Sequence, residues 1–417
     1  MLALRFRPVM PQRMDGIAFA QVGGLLLVAC LIAVVCRRFG WPYAVGLAAA
    51  GIGIAYLPNA PTIPLSRDLI FNVFLPPLVF EAALQLGWSS FRRELPVTLM
   101  LAFVGVAIAA AVVATGMHWI IGWGWIGAAL FGVLIAATDP VSVIASFREL
   151  KVEHRLSMLV ESESLLNDGV AAVAFVVLVG IATGTSSGPA AAFISFLWTM
   201  GGGAAIGIAA GLAVLFIAKG TADHLVEITL TTIAAYGSFL LAEHFHASGV
   251  FASLAAGLTI GNLGWKGAIS EHGREHLLSA WEYFAFLANS FVFILIGMQV
   301  ATAPILLIGA FTAAVAVLLV LLGRAFAVYP LAALFRRSKL AVPRSYQHIL
   351  VWGGLRGALG LALALALPPV PERTAIILTT FLVVAFSLFV QGLTMPTLVR
   401  RLGIICGPAD KSERCPD

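Results

Sequence analysis

The sequence predicts an all-α polytopic membrane protein of about thirteen transmembrane helices, and three observations carry that expectation. Of 417 residues, 60% are hydrophobic and the mean hydropathy is +1.00. Charged residues make up only 11% of the chain, against about 25% in an ordinary soluble domain, so no polar shell can be built around a core. The apolar residues fall in long continuous runs without polar alternation, and lipid admits only backbone whose hydrogen bonds close within the structure; the runs are therefore helices. A soluble enzyme, with or without one anchor, is excluded, as are secreted, collagenous and disordered classes.

Windows of about 19 residues, matched to a hydrocarbon core of about 30 Å, place the spans in order. They are 16–36, 43–57, 68–86, 97–121, 125–146, 157–183, 190–218, 225–243, 247–263, 281–300, 303–335, 346–367 and 374–400, the second and ninth being short. Charge tests the parity of that count. Loops on the amino-terminal side hold five cations, Arg5, Arg7, Arg13, Arg67 and Arg373. Eighteen lie on the other side, in groups such as Arg37–Arg38, Arg92–Arg93, Arg336–Arg337 and Arg400–Arg401. Such a bias predicts an odd number of spans in the cell membrane, with the carboxyl terminus cytoplasmic. The net charge of +5 is thereby read as loop charge, and no nucleic-acid partner is expected.

The remaining organisation is simple. Residues 1–402 read as a single membrane transport domain and 403–417 as a short cytoplasmic tail, with no soluble domain appended. Cys30, Cys36, Cys406 and Cys415 form no CxxC pair, so neither a disulfide framework nor a metal site is suggested. No cleaved signal is expected before the first span. An odd count near thirteen fits two inverted repeats plus a connecting helix, which places substrate sites at the midplane beside interrupted helices.

Five places set charge or helix-breaking chemistry at membrane depth, where an ionisable group needs a reason. In the fifth span, Pro140 removes an N–H and disfavours helix at Asp139, freeing the Thr138 and Asp139 backbone to face a cavity. The sixth opens with Glu161-Ser162-Glu163-Ser164-Leu165-Leu166-Asn167-Asp168. There Ser164 and Asp168 share one helical face with Glu161 a turn back, while Glu163 and Asn167 share the adjacent face. A hydroxyl above a carboxylate offers the hard oxygen ligands that suit a small cation. The third span bends at Pro76-Pro77 and then presents Glu81. In the twelfth, Gly353, Gly354 and Gly357 weaken the helix around Arg356, which must find a carboxylate; Glu163 is the leading candidate. By repeat counting, spans five and twelve are counterparts. Arg324, late in the long eleventh run, is expected to snorkel.

Two other matches carry little. Gly184-Thr185-Ser186-Ser187-Gly188 fits GxSxG but lies in a small-residue loop rather than a strand-to-helix elbow. His272 to His276 fits HxxEH, yet Gly273 sits inside the would-be helix and no third ligand is near. GxxxG matches, among 41 glycines, support no dimer interface.

A carboxylate in a low-dielectric cavity can be neutralised by a proton or by a metal cation, and mutually exclusive occupancy is the chemistry of exchange. With Asp168 as the one obligatory carrier and Asn167 as its neighbour, replacing a monovalent cation by one proton leaves the moving unit equally charged. The expected transport is one-for-one and electroneutral, and the broken helices would favour ions at their ends.

LPPLVFE at 75–81, ATDPV at 137–141, ESESLLNDG at 161–169, GGLRGALGLALAL at 353–365 and VQGLTMP at 390–396 occur in this order. On these motifs the chain resembles the monovalent cation/proton antiporters of the NhaP type, bacterial relatives of the eukaryotic sodium/proton exchangers. The resemblance implies a thirteen-helix fold with discontinuous crossed helices, a dimerisation domain and a core that moves as an elevator, and a homodimer. It further implies that Asp168 binds cation (Na+ or Li+) or proton with Ser164, the Thr138 carbonyl and Glu81 nearby, that Asp139 and Asn167 hold the crossed helices together, and that Glu163 pairs with Arg356. No cofactor and no enzymatic activity are implied. Potassium/proton exchange shares every one of these residues, and a cation channel is the remaining alternative; an intramembrane hydrolase would need Ser186 and leave Asp168 dispensable.

The three arginines before Met14 run against the charge bias, which leads to the expectation that translation starts at Met14. Mass spectrometry of the native amino terminus checks this, since any peptide upstream of Met14 would exclude it.

Overall fold

The computed structural model describes residues 15–39, 41–58, 65–184, 188–220 and 223–405. Met14 and the arginines before it, the Thr185–Ser187 stretch of the GxSxG match, Cys406, Cys415 and the tail beyond Ile405 lie outside the described residues. Among the described residues, nine helices are long and apolar enough to cross a membrane, and the shorter second and ninth with the two-piece fifth and twelfth complete a series of thirteen elements. They are α1 Asp15–Phe39, α2 Tyr43–Ala55, α3 Arg67–Gln85, α4 Trp88–Ile121, α5 in two pieces (Trp125–Leu134 and Val141–Leu150), α6 His154–Ala182 and α7 Pro189–Ala218. After them come α8 His224–His244, α9 Gly249–Leu263, α10 Glu271–Thr302, α11 Ala310–Leu334, α12 in two pieces (Arg344–Trp352 and Ala358–Leu365) and α13 Arg373–Leu402.

Prolines bend the spans without ending them. Proline lacks an N–H, and its ring pushes away the carbonyl four residues back. Beside Pro76-Pro77 in α3, Pro96 in α4 and Pro396 in α13, the helix widens into π-helical stretches at Ile70–Phe74, Met100–Gly105 and Ser387–Gly392, which absorb the mismatch in the hydrogen-bond ladder. Only α5 and α12 come fully apart.

Several boundaries differ from the hydropathy windows, each for a local reason. The run at 303–335 divides at Gly309, whose φ of +76° ends a short turn at Ile305–Ile308 before α11 begins. The polar stretch before the tenth span is already helical, because Ser270 caps it: its Oγ accepts the Gly273 N–H at 2.9 Å. Likewise α4 starts nine residues ahead of its apolar window, at Trp88. These helices project past the lipid, where hydropathy carries no signal.

The spans pack in two interleaved groups: α2 lies along α10, α9 is held between α7 and α3, and α8 joins that set; α4 packs on α5 and α11, α5 on α6, and α12 on α13. Small residues make the close crossings, as between α7 and α9. Gly203, Gly207 and Gly211 line one face of α7, against the Ser248 carbonyl, the Ala252 carbonyl and Thr259 of the α9 segment. This GxxxGxxxG ridge is consumed within the chain. The chain leaving α13 pairs back at Ile405 with Val152, in the α5–α6 connection.

Because a Cβ on Gly207 would meet backbone rather than a movable side chain, Gly207→Ala is expected to cost about 1–3 kcal/mol, the range for overpacking. Gly201→Ala meets open space and should leave stability unchanged. Thermal unfolding of the two variants in detergent compares them directly.

Candidate functional site

The two broken spans cross at their breaks. Between Leu134 and Val141 the α5 backbone is unwound, and the Asp139 N–H donates to the Leu355 carbonyl of the α12 break at 2.8 Å. Two helix C-termini with unpaired carbonyls and two N-termini with unpaired N–H groups are thereby gathered in the bundle interior. Each carries a partial charge that lipid cannot satisfy.

Side chains meet those ends in a matched way. The Asp139 carboxylate accepts the Val141 N–H at 2.9 Å, capping the second half of α5. Its other oxygen lies against Gly357, immediately before the second half of α12; a Cβ at 357 would collide with the carboxylate. Arg356, 2% exposed, points at the other kind of end: Nη1 donates to the Ala136 carbonyl at 2.7 Å and the Ala137 carbonyl at 3.0 Å. Its backbone is fixed by Ser387 of α13, whose Oγ accepts the Arg356 N–H at 3.1 Å.

The partner of Glu163 is Arg324, not Arg356. Arg324 donates to the two carboxylate oxygens at 2.7 and 2.8 Å, and its Nε donates to the Leu350 carbonyl at 3.0 Å, near the end of the first half of α12. It is 6% exposed and does not snorkel. The expected depth was wrong because α11 starts at Ala310, which moves Arg324 from the end of a long run to the middle of a helix. Arg356, inside a break, is instead taken up by freed carbonyls. Both arginines thus close an unwound C-terminal end.

Around this crossing the α6 residues divide between two faces. Asn167 donates to Thr138 Oγ1 and to Glu163 Oε1, each at 3.2 Å, and so links the pair to the α5 break. On the other face a cavity of about 250 Å³ reaches Asp168, Ser164, Thr138, Asp139, Glu81 and Glu161. The Ser164 hydroxyl donates to the Thr138 carbonyl, and the Thr138 hydroxyl donates to Ser164 Oγ at 3.3 Å. Asp168 Oδ1 is buried and has no hydrogen-bond partner among the described residues.

Glu81 shares the cavity but not that cluster. It accepts a hydrogen bond from Gln85 one turn along α3, and Gln85 in turn accepts from Arg148 Nη2 at 3.3 Å. Arg148 and Glu282 also line this cavity; Glu282, at the start of the expected tenth span, carries no signal of its own, and Arg148 reads as a loop charge just past the fifth. Glu94, 2% exposed, was hidden for the same reason. It meets Arg155 at 2.8 and 3.0 Å and ties the start of α4 to the start of α6. Of the HxxEH match, the His276 ring lies 4.6 Å from that of His224, and Gly273 packs on Glu227. No group of three or more His, Cys, Asp or Glu side chains suited to a metal occurs among the described residues.

A cavity that ends on a carboxylate with one unpaired oxygen, beside two crossed helix breaks, is the arrangement of ion-translocating membrane proteins with broken helices. The family model described as "Sodium/hydrogen exchanger, transmembrane" matches residues 25–401, and the chain belongs to that family of transporters, which are not enzymes. It is 38% identical over 376 residues to the Na(+)/H(+) antiporter ApNhaP of Aphanothece halophytica, covering 89% of this chain and 71% of that one. The Na(+)/H(+) antiporter NhaP of Pseudomonas aeruginosa is 36% identical over 357 residues, covering 83% and 84% of the two chains. In fold the chain matches the sodium proton antiporter MjNhaP1 of Methanocaldococcus jannaschii with a TM-score of 0.76 at 19% identity, over 93% of this chain and 98% of that one.

Removing one member of a buried ion pair strands the other. Glu163→Gln and Arg324→Met are each expected to destabilise the protein by about 3–5 kcal/mol, and the double variant by clearly less than their sum. Thermal unfolding of the four proteins in detergent measures the coupling.

Proposed function

We propose that the protein exchanges sodium or lithium for protons across the cell membrane, one for one, with Asp168 holding cation or proton in turn. The observation that carries this reading is the unpaired, buried Asp168 Oδ1 at the end of a cavity that also exposes Ser164 and the Thr138 segment. A carboxylate so placed needs a positive partner, and a proton or a small cation supplies it. The ions are substrates, and no cofactor enters the scheme. The two other carboxylates at the crossing are engaged, Asp139 by a helix N-terminus and Glu163 by Arg324. One free carrier with asparagine as its neighbour makes the cycle electroneutral.

Glu81 serves in this scheme as a cavity-wall carboxylate near the cation path, while Asp139, Asn167, Glu163 and Arg356 keep the crossing intact. The group of α4–α6 with α11–α13 carries the site and moves against α1–α3 with α7–α10, the latter also forming the homodimer contact. On this reading the cation-rich side of the protein is the cytoplasmic one, and the carboxyl terminus lies there.

Proteoliposomes with an imposed pH gradient test the proposal, with sodium, lithium and potassium added in turn and an ionophore clamping the voltage. Sodium and lithium should drive proton movement at a rate insensitive to the clamp, and Asp168→Asn should fall to the background of empty vesicles. Strong dependence on membrane potential would exclude one-for-one exchange; activity surviving in Asp168→Asn would exclude Asp168 as carrier.

A further inference from the structure

A groove of about 530 Å³ opens where α11 ends and the first half of α12 begins, lined by Tyr329, Ala333, Arg336, Pro343, Arg344 and Gln347 among others. Its charge is of one sign: Arg336 and Arg344, both exposed, are the charged side chains of the lining, and no carboxylate joins them there. Neither guanidinium forms an ion pair or a side-chain hydrogen bond among the described residues. The carboxylates that reach the neighbouring elements are already engaged. Glu94 is held by Arg155, whose Nη1 also donates to the Ala341 carbonyl at 3.1 Å, and Glu153 accepts the Tyr346 hydroxyl. Arg337 and Lys339, exposed in the connection between the two helices, add to the unbalanced charge.

Below the arginines the groove runs into an apolar row. On α11, Leu322, Phe326, Tyr329 and Ala333 follow one another at helical spacing and are all exposed, and Arg336 comes next in the row. From Leu322 to Ala333 the row rises about 16 Å, the depth of one leaflet of a hydrocarbon core of about 30 Å. The first half of α12 is fixed against this end of α11: the Tyr329 hydroxyl and His348 Nδ1 lie 2.9 Å apart, and deeper in, Arg324 Nε donates to the Leu350 carbonyl. The hairpin thus sets two cations at its open end, above a strip of exposed apolar side chains.

We infer that this groove binds an anionic phospholipid, with its phosphate between Arg336 and Arg344 and one acyl chain along Leu322, Phe326 and Tyr329. Basic pockets between spanning helices on the cation-rich side suit such headgroups, and guanidinium matches the geometry of phosphate oxygens. A soluble anion would satisfy the arginines and leave the apolar row unused, while a zwitterionic lipid would cover the row and bring a cation of its own to the arginines. A seated lipid bridges the two arms of the hairpin that carries Arg324 and Leu350, and so steadies the helix crossing from outside. The site needs nothing from the ion-exchange reading, and its test does not depend on transport.

The full chain in detergent, titrated with phosphatidylglycerol or phosphatidylcholine and followed by native mass spectrometry and thermal unfolding, tests the site. The wild-type protein is expected to bind phosphatidylglycerol about thirtyfold tighter than phosphatidylcholine, as two cations at the surface allow, and to unfold at a higher temperature once it is bound. Arg336→Gln with Arg344→Gln should lose most of that preference, and lysine at both positions should keep part of it. Arg400→Gln with Arg401→Gln, an equal change of charge on the same side, should keep all of it. A phosphatidylglycerol carrying a diazirine midway along one chain should label residues 322–329 of the wild-type chain, a readout independent of whether any variant folds. An equal loss in the Arg400 and Arg401 variant reduces the preference to general surface attraction and overturns the groove, as does photolabelling confined to other helices. Displacement of phosphatidylglycerol by inorganic phosphate at matched concentration would mark a soluble-anion site and overturn the lipid.

Discussion

The hydrogen bond from the Asp139 N–H to the Leu355 carbonyl fixes where two broken helices cross, and the arrangement of the site follows from that crossing. Breaking a helix inside a bilayer leaves polar ends that water cannot reach, each unpaired group costing several kcal/mol. The chain answers with charge of the right sign at each end. Asp139 stands at the N-termini of the second halves of α5 and α12, while Arg356 and Arg324 stand at the C-terminal carbonyls of their first halves. Arg324 is in turn neutralised by Glu163, and Asn167 connects that pair to Thr138. None of these groups reaches Asp168 Oδ1, which is buried without a hydrogen-bond partner among the described residues.

That separation explains why adjacent acidic residues on one helix differ in kind. Glu163 and Asp168 are little more than a turn apart on α6, but they point to different faces, one into a network where both its oxygens accept hydrogen bonds and one toward a cavity. A carboxylate without a fixed counter-charge can trade its partner; one with a bidentate arginine cannot without stranding that arginine.

Much of this was legible in the sequence, because the signals are local. Pro140 and the glycines around Arg356 mark the breaks by backbone sterics alone, and helical periodicity separates the Ser164–Asp168 face from the Glu163–Asn167 face. The identity of Glu163's partner was not legible. Two buried arginines competed for one carboxylate, and the choice depends on the depth of Arg324, which a merged apolar run at 303–335 obscured. The buried pair of Glu94 and Arg155 was equally invisible, since each lies just beyond its apolar window. Hydropathy reports contact with lipid and says nothing about helix that continues past it.

The crossing also sets an order of events during biosynthesis. Arg356 and the Ala137 carbonyl it caps are 219 residues apart in the chain, so α5 enters the membrane long before its partner has been made. Until α12 arrives, the first half of α5 ends in freed carbonyls with no arginine to receive them, in a medium that offers no substitute. The helix crossing must therefore be among the last parts to assemble, and the nascent chain passes through a stage in which this region is its least stable element. Truncation or delayed insertion of the second half would be felt first at α5, at the opposite end of the sequence from the defect.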